Sequence, residues 1–407
     1  MRKLHHPITV FIVIVLAVIG IGVGVVVTAT GQRVYGPSWG RFTVAFRESS
    51  IASVDKAGFV PSRLARAGTS STVFVLGTSP CGNQLCPSLW RGYEAGGLSG
   101  HFVKVTVPPL AISKLYGLDQ LVFANAKDGY AFQSYGQAAD APVFATVDGA
   151  RSWHRVSFGP GVGAFDIAAA RGEFYAVLVR CTWGTASSAP SRCHDYRLGR
   201  SRAGSTLWSS VPIPGATTLV NNAVSLAATG SQVWLSYQVD RQGAVPQLLE
   251  SAGSHLPFVR LAQSALYGVQ PCALYPMTST VLWALCGTGM QESVLRSTNA
   301  GRSFAGVWTT FPTVGSLFTP VTAKVAYRYE GVGSKTPQVL ERTTDGGSHF
   351  RVVAPFPFVG GAGGEQFFFL DPNDAYAIGS VKHGKSQTEP TLLFTDDGGV
   401  SWHQVVL

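Results

Sequence analysis

A turn motif that recurs seven times at intervals of 46 to 55 residues, a second aromatic marker in step with it, and one long uncharged run near the N-terminus together predict the fold class. The chain reads as all-β: a seven-bladed β-propeller of four-stranded antiparallel blades, preceded by one N-terminal transmembrane helix. Self-similarity at a fixed period marks stacked supersecondary units, each burying its apolar faces against its neighbours.

The motif is clearest near the C-terminus, where Thr395, Asp397, Gly398, Gly399, Ser401 and Trp402 fit S/T-x-D-G-G-x-S/T-W at every defined position. A tight turn between antiparallel strands favours an Asp that bonds its own backbone and glycines that accept positive φ. The Trp at the end of the motif plugs the hairpin into a core. A second copy keeps Thr343, Asp345, Gly346 and Gly347 with Phe350 in the Trp place, and a third keeps Asp148, Gly149, Ser152 and Trp153. A fourth, from Ser297 to Phe304, puts Asn299 in the Asp place. Three eroded copies at 93–102, 201–208 and 251–258 are recognised by their closing aromatic, which has Val or Leu three residues on. That pair stands at Phe102/Val105, Trp153/Val156, Trp208/Val211, Phe258/Leu261, Phe304/Val307, Phe350/Val353 and Trp402/Val405. The second marker is an aromatic in an apolar run ahead of each anchor, at Phe74, Tyr130, Tyr175, Trp234, Trp283, Tyr327 and Tyr376. Each repeat then reads as four strands; in the last these are QFFFLD, AYAIGS, TLLFTD and WHQVVL, separated by turn-forming residues. Seven such sheets close a ring.

The motif is identified as the Asp-box, or BNR repeat, and the chain resembles sialidase-like β-propellers over nearly all of the region after the apolar run. The resemblance makes Asp148, Asn299, Asp345, Asp397, Trp153 and Trp402 structural residues of the repeat. It is specific for fold and poor for function, because propellers of this kind include sialidases, other glycoside hydrolases, sortilin-type receptors and photosystem assembly factors. Sialidases of the fold use three arginines, a Tyr with a Glu, and an Asp acid/base, and carry an R-I-P tripeptide near the first blade. The nearest counterpart here is Pro61-Ser62-Arg63, which departs from that pattern and leaves the first arginine unplaced. The resemblance therefore implies a non-catalytic member, with an exo-acting glycosidase as the alternative.

The N-terminal end sets the expected compartment. Arg2 and Lys3 lie in a short tail, residues 1–7, and Ile8 to Val27 is a run of 20 residues without a charge. That length spans a bilayer, and basic residues ahead of it predict the tail inside and the rest outside. The expectation is a signal anchor over 8–28, a membrane-proximal linker over 29–57 with one short strand at Arg41 to Phe46, and a propeller over 58–407. A cleaved signal peptide, with Val27 and Ala29 as small-residue cleavage positions, is the competing reading and would give a secreted protein.

Charged residues make up only 13% of the chain and glycine contributes 47 of 407 positions, which suits a turn-rich all-β protein and argues against disorder. The net charge of +9 comes from Arg and Lys scattered without runs, so nucleic acid is not an expected partner. Six cysteines in an exported domain imply disulfides, and although six admit 15 pairings, chain position favours the local pairs Cys81/Cys86, Cys181/Cys193 and Cys272/Cys286. All three fall on the rim opposite the Asp-box turns. No His or second Cys pair stands at zinc-ligand spacing, so neither metal nor cofactor is expected.

Long loops over the stapled rim are where contact with a partner is expected. Trp183, Arg180, Tyr135 and Tyr267 are the candidate contacts, and Asp119, Asp166 and Glu365 are the acidic residues able to supply carboxylates. Glycoside cleavage needs two carboxyl groups across a cleft and usually an orienting cation, whereas these loops are dominated by Gly, Ser, Ala, Pro and aromatics. The expected function is recognition of a protein, peptide or glycan at the cell membrane. A purely architectural role in a membrane complex is a third reading.

Overall fold

The computed structural model describes residues 58–93, 101–109, 120–133, 141–183, 190–216, 219–239, 247–252, 258–261, 272–288, 291–309, 317–329, 339–355, 357–358, 366–383, 387–405 and 407. The expected tail, transmembrane helix and linker, with the strand at 41–46, lie outside the described residues.

Seven four-stranded antiparallel sheets follow one another along the chain. Blade 1 is β1 (Val60–Arg66), β2 (Val73–Cys81), β3 (Gln84–Tyr93) and β4 (His101–Val105), and blade 2 is β5 (Gln120–Phe123), β6 (Gly129–Phe132), β7 (Val143–Thr146) and β8 (His154–Val156). Blade 3 is β9 (Val162–Ala170), β10 (Glu173–Trp183), β11 (Pro190–Arg202) and β12 (Ser209–Pro212), and blade 4 is β13 (Leu219–Thr229), β14 (Gln232–Val239), β15 (Gln247–Ala252) and β16 (Val259–Arg260). Blade 5 is β17 (Ala273–Pro276), β18 (Leu282–Thr288), β19 (Gln291–Ser297) and β20 (Ala305–Thr309), and blade 6 is β21 (Leu317–Pro320), β22 (Ala326–Tyr329), β23 (Val339–Thr343) and β24 (Arg351–Pro355). Blade 7 is β25 (Gln366–Phe369), β26 (Ala375–His383), β27 (Gln387–Thr395) and β28 (His403–Gln404). First strands pack side by side around the centre: β1 against β5, β5 against β9, β9 against β13, β13 against β17, and β21 against β25, which meets β1 again.

Burial along each strand follows from its place in a blade. A second strand is covered on both faces by neighbouring blades, so β14 is buried at every position but its two ends, and the buried stretch holds Val233, Trp234, Leu235 and Tyr237 with the polar Ser236 and Gln238. A fourth strand lies at the circumference, and β4 alternates between exposed and half-buried positions instead.

Each blade junction holds a main apolar cluster, which draws one marker from one blade and one anchor from the next, and a small further cluster of Ala131 and Phe144 lies in blade 2. Phe74 and Trp153 meet at junction 1–2, Tyr130 and Trp208 at 2–3, Tyr175 and Phe258 at 3–4, and Trp234 and Phe304 at 4–5. Trp283 and Phe350 meet at 5–6, Tyr327 and Trp402 at 6–7, and Tyr376 and Phe102 at 7–1. The markers are the deeper set, all buried, while among the anchors only Phe350 and Trp402 are buried and the other five are half-buried. Several markers also bond across the junction to a turn carbonyl of the next blade. The Tyr327 hydroxyl donates to Pro372 at 2.8 Å, the Trp234 indole to Ala300 at 3.2 Å and the Trp283 indole to Thr322 at 3.3 Å. A buried polar tip is thus satisfied where a Phe would leave the carbonyl bare.

The turns between third and fourth strands behave as their sequences require. Thr395 donates to Asp397 Oδ1 and accepts the Gly399 N–H, while Asp397 accepts both the N–H and the hydroxyl of Ser401 at 2.9 and 2.6 Å. Thr146, Asp148 and Ser152 repeat that network in blade 2. In blade 6 the His349 ring stands where the Ser hydroxyl would, with its Nδ1 2.7 Å from Asp345. In blade 5 Asn299 accepts the Ser303 N–H and donates to its hydroxyl. These bonds hold the Asp345 carboxyl well below the usual range, with the backbone and ring of His349 as the main cause. At Asp148 burial alone would raise the value, but the Ser152, Thr146 and Arg151 donors outweigh it and bring it to about 2.

The glycine at the first Gly place answers to a neighbouring blade as well as to its turn. A Cβ on Gly398, whose φ is +73°, would stand 2.9 Å from Arg342 Nη1, and one on Gly346 would stand 2.9 Å from Arg296 Cζ. Arg342 and Arg296 come from the third strand of the preceding blade and lie over its marker, Tyr327 at 5.5 Å and Trp283 at 5.3 Å. The small turn residue leaves the room in which the cation packs.

The ring closes between blades 7 and 1 with no strand traded between the chain ends, since every sheet is made of four consecutive strands. Phe102 meets Tyr376 edge-on at 5.9 Å, Arg66 donates to the Leu370 carbonyl at 2.6 Å, and Gln366 donates to the Ser62 carbonyl at 2.8 Å.

Candidate functional site

A propeller blade has two ends, and the disulfides sort them. The turns from first to second strand and from third to fourth share one face: the Gly398 N–H bonds the Asn373 carbonyl and the Gly346 N–H bonds that of Lys324. The second-to-third hairpins and the blade connections form the opposite rim, and all three disulfides are there. Cys81–Cys86 closes the β2–β3 hairpin, Cys181–Cys193 ties β10 to β11, and Cys272–Cys286 ties the approach to β17 to the far end of β18.

The blade 3 pair differs from expectation in one respect. Eleven residues separate the two cysteines, which by length alone would suit a loop, but the strands run on past them, and Cys181 and Cys193 face each other as a ladder pair with Cα atoms 4.0 Å apart. The reason is register: β10 continues to Trp183, paired with Pro190, so the bond braces a projecting ribbon rather than a loop base. Both sulfurs are buried in the junction 3–4 cluster, with Tyr196, Ile213, Tyr237, Leu249 and Phe258.

Of the candidate contacts, Arg180 and Trp183 both belong to β10, three residues apart on the ribbon; Arg180 is exposed and pairs with Val162 at the start of β9. Tyr135, Tyr267, Asp119 and Glu365 lie outside the described residues. Asp166 is in mid β9, on a channel-lining strand, next to a register shift opposite Val177 and Leu178. Its carboxylate accepts the backbone N–H of Leu226 on β13 at 3.0 Å, so it bridges the inner edges of blades 3 and 4. Desolvation pushes its pKa up to about 6, against the backbone donors Leu226 and Ile167 that favour the ionised form. Among the described residues no group of three or more His, Cys, Asp or Glu is placed to hold a metal ion.

The same rim carries a cleft at the outer side of junction 3–4. It has a volume of about 330 Å³ and is lined by Pro214, Gly215, Tyr237, Val239, Gln247, Leu249, Phe258 and Arg260. Alternation explains why these side chains converge. Phe258 and Arg260 share a face on β16 and its approach, Gln247 and Leu249 share one on β15, and Tyr237 and Val239 share one on β14, each turned toward blade 3. The alternate positions point the other way, Leu248 between Gln247 and Leu249 and Leu261 after Arg260, both into junction 4–5. The Tyr237 hydroxyl donates to the Pro214 carbonyl at 2.6 Å and joins the two blades across the cleft. In the sequence Phe258 stands out only as an anchor, and Arg260, Gln247 and Tyr237 do not stand out at all. The available signal was slight: Arg260 stands two residues after an anchor, as do Lys104 and Arg155, and so shares its anchor's face.

Solved structures share the fold at low identity. The β-propeller domain of the Trilobed protease from Pyrococcus furiosus aligns over 86% of this chain and 96% of its own, with TM-score 0.52 and 8% identity. Pyrococcus horikoshii acylaminoacyl peptidase aligns over 86% of this chain and 52% of its own, with TM-score 0.51 and 9% identity, so this chain spans about half of that enzyme. YCF48 bound to D1 peptide aligns over 87% and 94%, with TM-score 0.45 and 10% identity. The likeness is one of fold, an all-β propeller with four-stranded antiparallel blades. No family model matches the chain, and no curated protein does.

Proposed function

We propose that the chain is a recognition module of the Asp-box propeller class, held outside the cytoplasm by an uncleaved N-terminal anchor, that binds a protein or peptide partner on its disulfide-stapled rim. The observation that carries this reading is the cleft at junction 3–4. It lies on the braced rim, its walls are apolar, and one cation stands at its edge. Concave apolar surface with a few placed polar groups is what a binding site offers, and backing it with a disulfide keeps it preformed. The turn networks at Asp148, Asn299, Asp345 and Asp397 are the ground for the class assignment, because each uses its side chains as an Asp-box does.

One observation favours the glycosidase alternative. A carboxyl with a pKa near 6 on a channel-lining strand has the acidity a general acid needs. Against it stands the bond to the Leu226 N–H, which gives Asp166 a structural task, and glycoside cleavage needs a second carboxyl across a cleft.

Photo-crosslinking on the full-length chain in its own envelope separates these readings. A crosslinking residue at Arg180 on the rim should trap a defined protein or peptide adduct, and the same residue at Val400 on the opposite face should not. Equal adducts from both positions would count against the rim, and turnover of a fluorogenic glycoside that Asp166→Asn abolishes would replace recognition with hydrolysis.

A further inference from the structure

We propose that the cleft between blades 3 and 4 receives the C-terminal residue of a peptide, with the terminal carboxylate on Arg260 and an apolar last side chain against Phe258, Leu249 and Val239. This rests on the rim being the recognition face and adds the chemistry of what it takes.

The argument begins with Arg260. Several arginines of the ring are engaged: Arg200 with Glu173, Arg328 with Glu341 at 2.6 Å, and Arg296 with the Ala323 carbonyl at 2.9 Å. Arg260 is exposed and, among the described residues, has no hydrogen-bond or ion-pair partner, yet it borders an apolar cavity. A guanidinium presents a planar fork that matches a carboxylate through two parallel N–H donors, and an apolar surround strengthens that pairing. The ligand therefore carries a carboxylate next to an apolar group.

Size narrows the class. About 330 Å³ is at the small end of ligand sites, enough for one large side chain and its carboxylate. A glycan of that volume would need partners for several hydroxyls, whereas Arg260 and Gln247 are the charged or amide side chains of the lining. The third polar group, the Tyr237 hydroxyl, is already spent on Pro214. The setting of Arg260 then favours a peptide over a free fatty acid. It lies on β16, the edge strand of blade 4, and among the described residues no further strand pairs with that edge, to which an extended chain can add.

The test uses the full-length chain and Gly-Ser-Phe carrying a fluorophore on its N-terminal amine, as the free acid and as the C-terminal amide, with octanoate as a competitor, read by fluorescence anisotropy. The acid is expected to bind saturably and the amide at least tenfold more weakly. Arg260→Gln should abolish the difference between acid and amide, Arg260→Lys should keep part of it, and Phe258→Ala should weaken both. Unchanged melting temperatures would confirm that the two Arg260 variants fold. Absence of saturable binding, equal binding of acid and amide, or an acid preference that survives Arg260→Gln would overturn the assignment, and octanoate competing as tightly as the peptide would overturn its peptide source. The rim reading is tested separately, because crosslinking at Arg180 is expected to persist if recognition uses the rim without this carboxylate contact.

Discussion

At the scale of single residues, carboxylates in this ring do two opposite things. Asp148, Asp345 and Asp397 accept local N–H and O–H donors and are held below the usual carboxylate range. A group whose folded value is depressed adds stability above its unfolded value that is lost as pH falls through the folded one; for Asp148 this happens between about 3.8 and about 2. Asp166 is the reverse. Raised from 3.8 to about 6, it favours the fold when protonated, so its contribution is complete below about 3.8 and is lost as pH rises through 6. The displacement corresponds to about 3 kcal/mol at most. Melting temperatures of the parent and Asp166→Asn should therefore diverge between pH 4 and 6.5, with the parent losing ground and the variant flat, while both fall together below pH 4. Parallel curves through the upper range would show that Asp166 is ionised without penalty. The turn residues Asp148, Asp345 and Asp397 were legible because each acts within a few positions of itself. Asp166 was visible only as an isolated carboxylate, because its partner Leu226 is 60 positions away on another blade.

At the scale of elements, the disulfides divide by setting. Cys81 is exposed in a hairpin with Leu85, itself 63% exposed, whereas Cys181, Cys193, Cys272 and Cys286 are buried. Thiol exchange requires that a thiolate reach the sulfur. Mild reductant under native conditions should open Cys81–Cys86 first, and the other two should resist until unfolding; mass mapping after alkylation reads the order, and early labelling of Cys181 or Cys193 would contradict it. Replacing the Cys181/Cys193 pair by Ala should cost about 2–4 kcal/mol, as for a loop of this size. The local pairing was readable because these cysteines lie close in chain and at one end of a repeat. The extension of β10 and β11 was not, since residues 184–195 are rich in Ser, Ala and Pro, and it is pairing across the ribbon that places Pro190 to Asp195 in β11.

At the scale of the molecule, closure is the weak point that the topology creates. Blades 1 and 7 are each complete, so junction 7–1 is held by side-chain contacts where a shared strand would have added a ladder. Tyr376 is central, packed on Phe102 and Phe394 in the junction cluster. Truncation to Ala should cost about 3 kcal/mol or more by cavity formation. Amide exchange should then rise first in blades 1 and 7; a uniform rise around the ring would indicate that closure is no weaker than any other junction.

The number of blades, their strand order and the turns that join them were set by local chemistry: a donor-rich Asp turn, a period near 50, and aromatics recurring in step. Those features act within one repeat and are written in neighbouring positions. Which aromatics are deepest was decided by packing, because second strands are covered on both faces while the anchors stand toward the circumference. Arg296 and Arg342, with the glycines that make room for them, each join two blades. The cleft is of the same kind. Phe258 and Arg260 are an ordinary anchor and an ordinary surface cation in sequence, and only strand alternation on blade 4, set against Pro214 and Gly215 from the connection out of blade 3, turns them into two walls of one cavity.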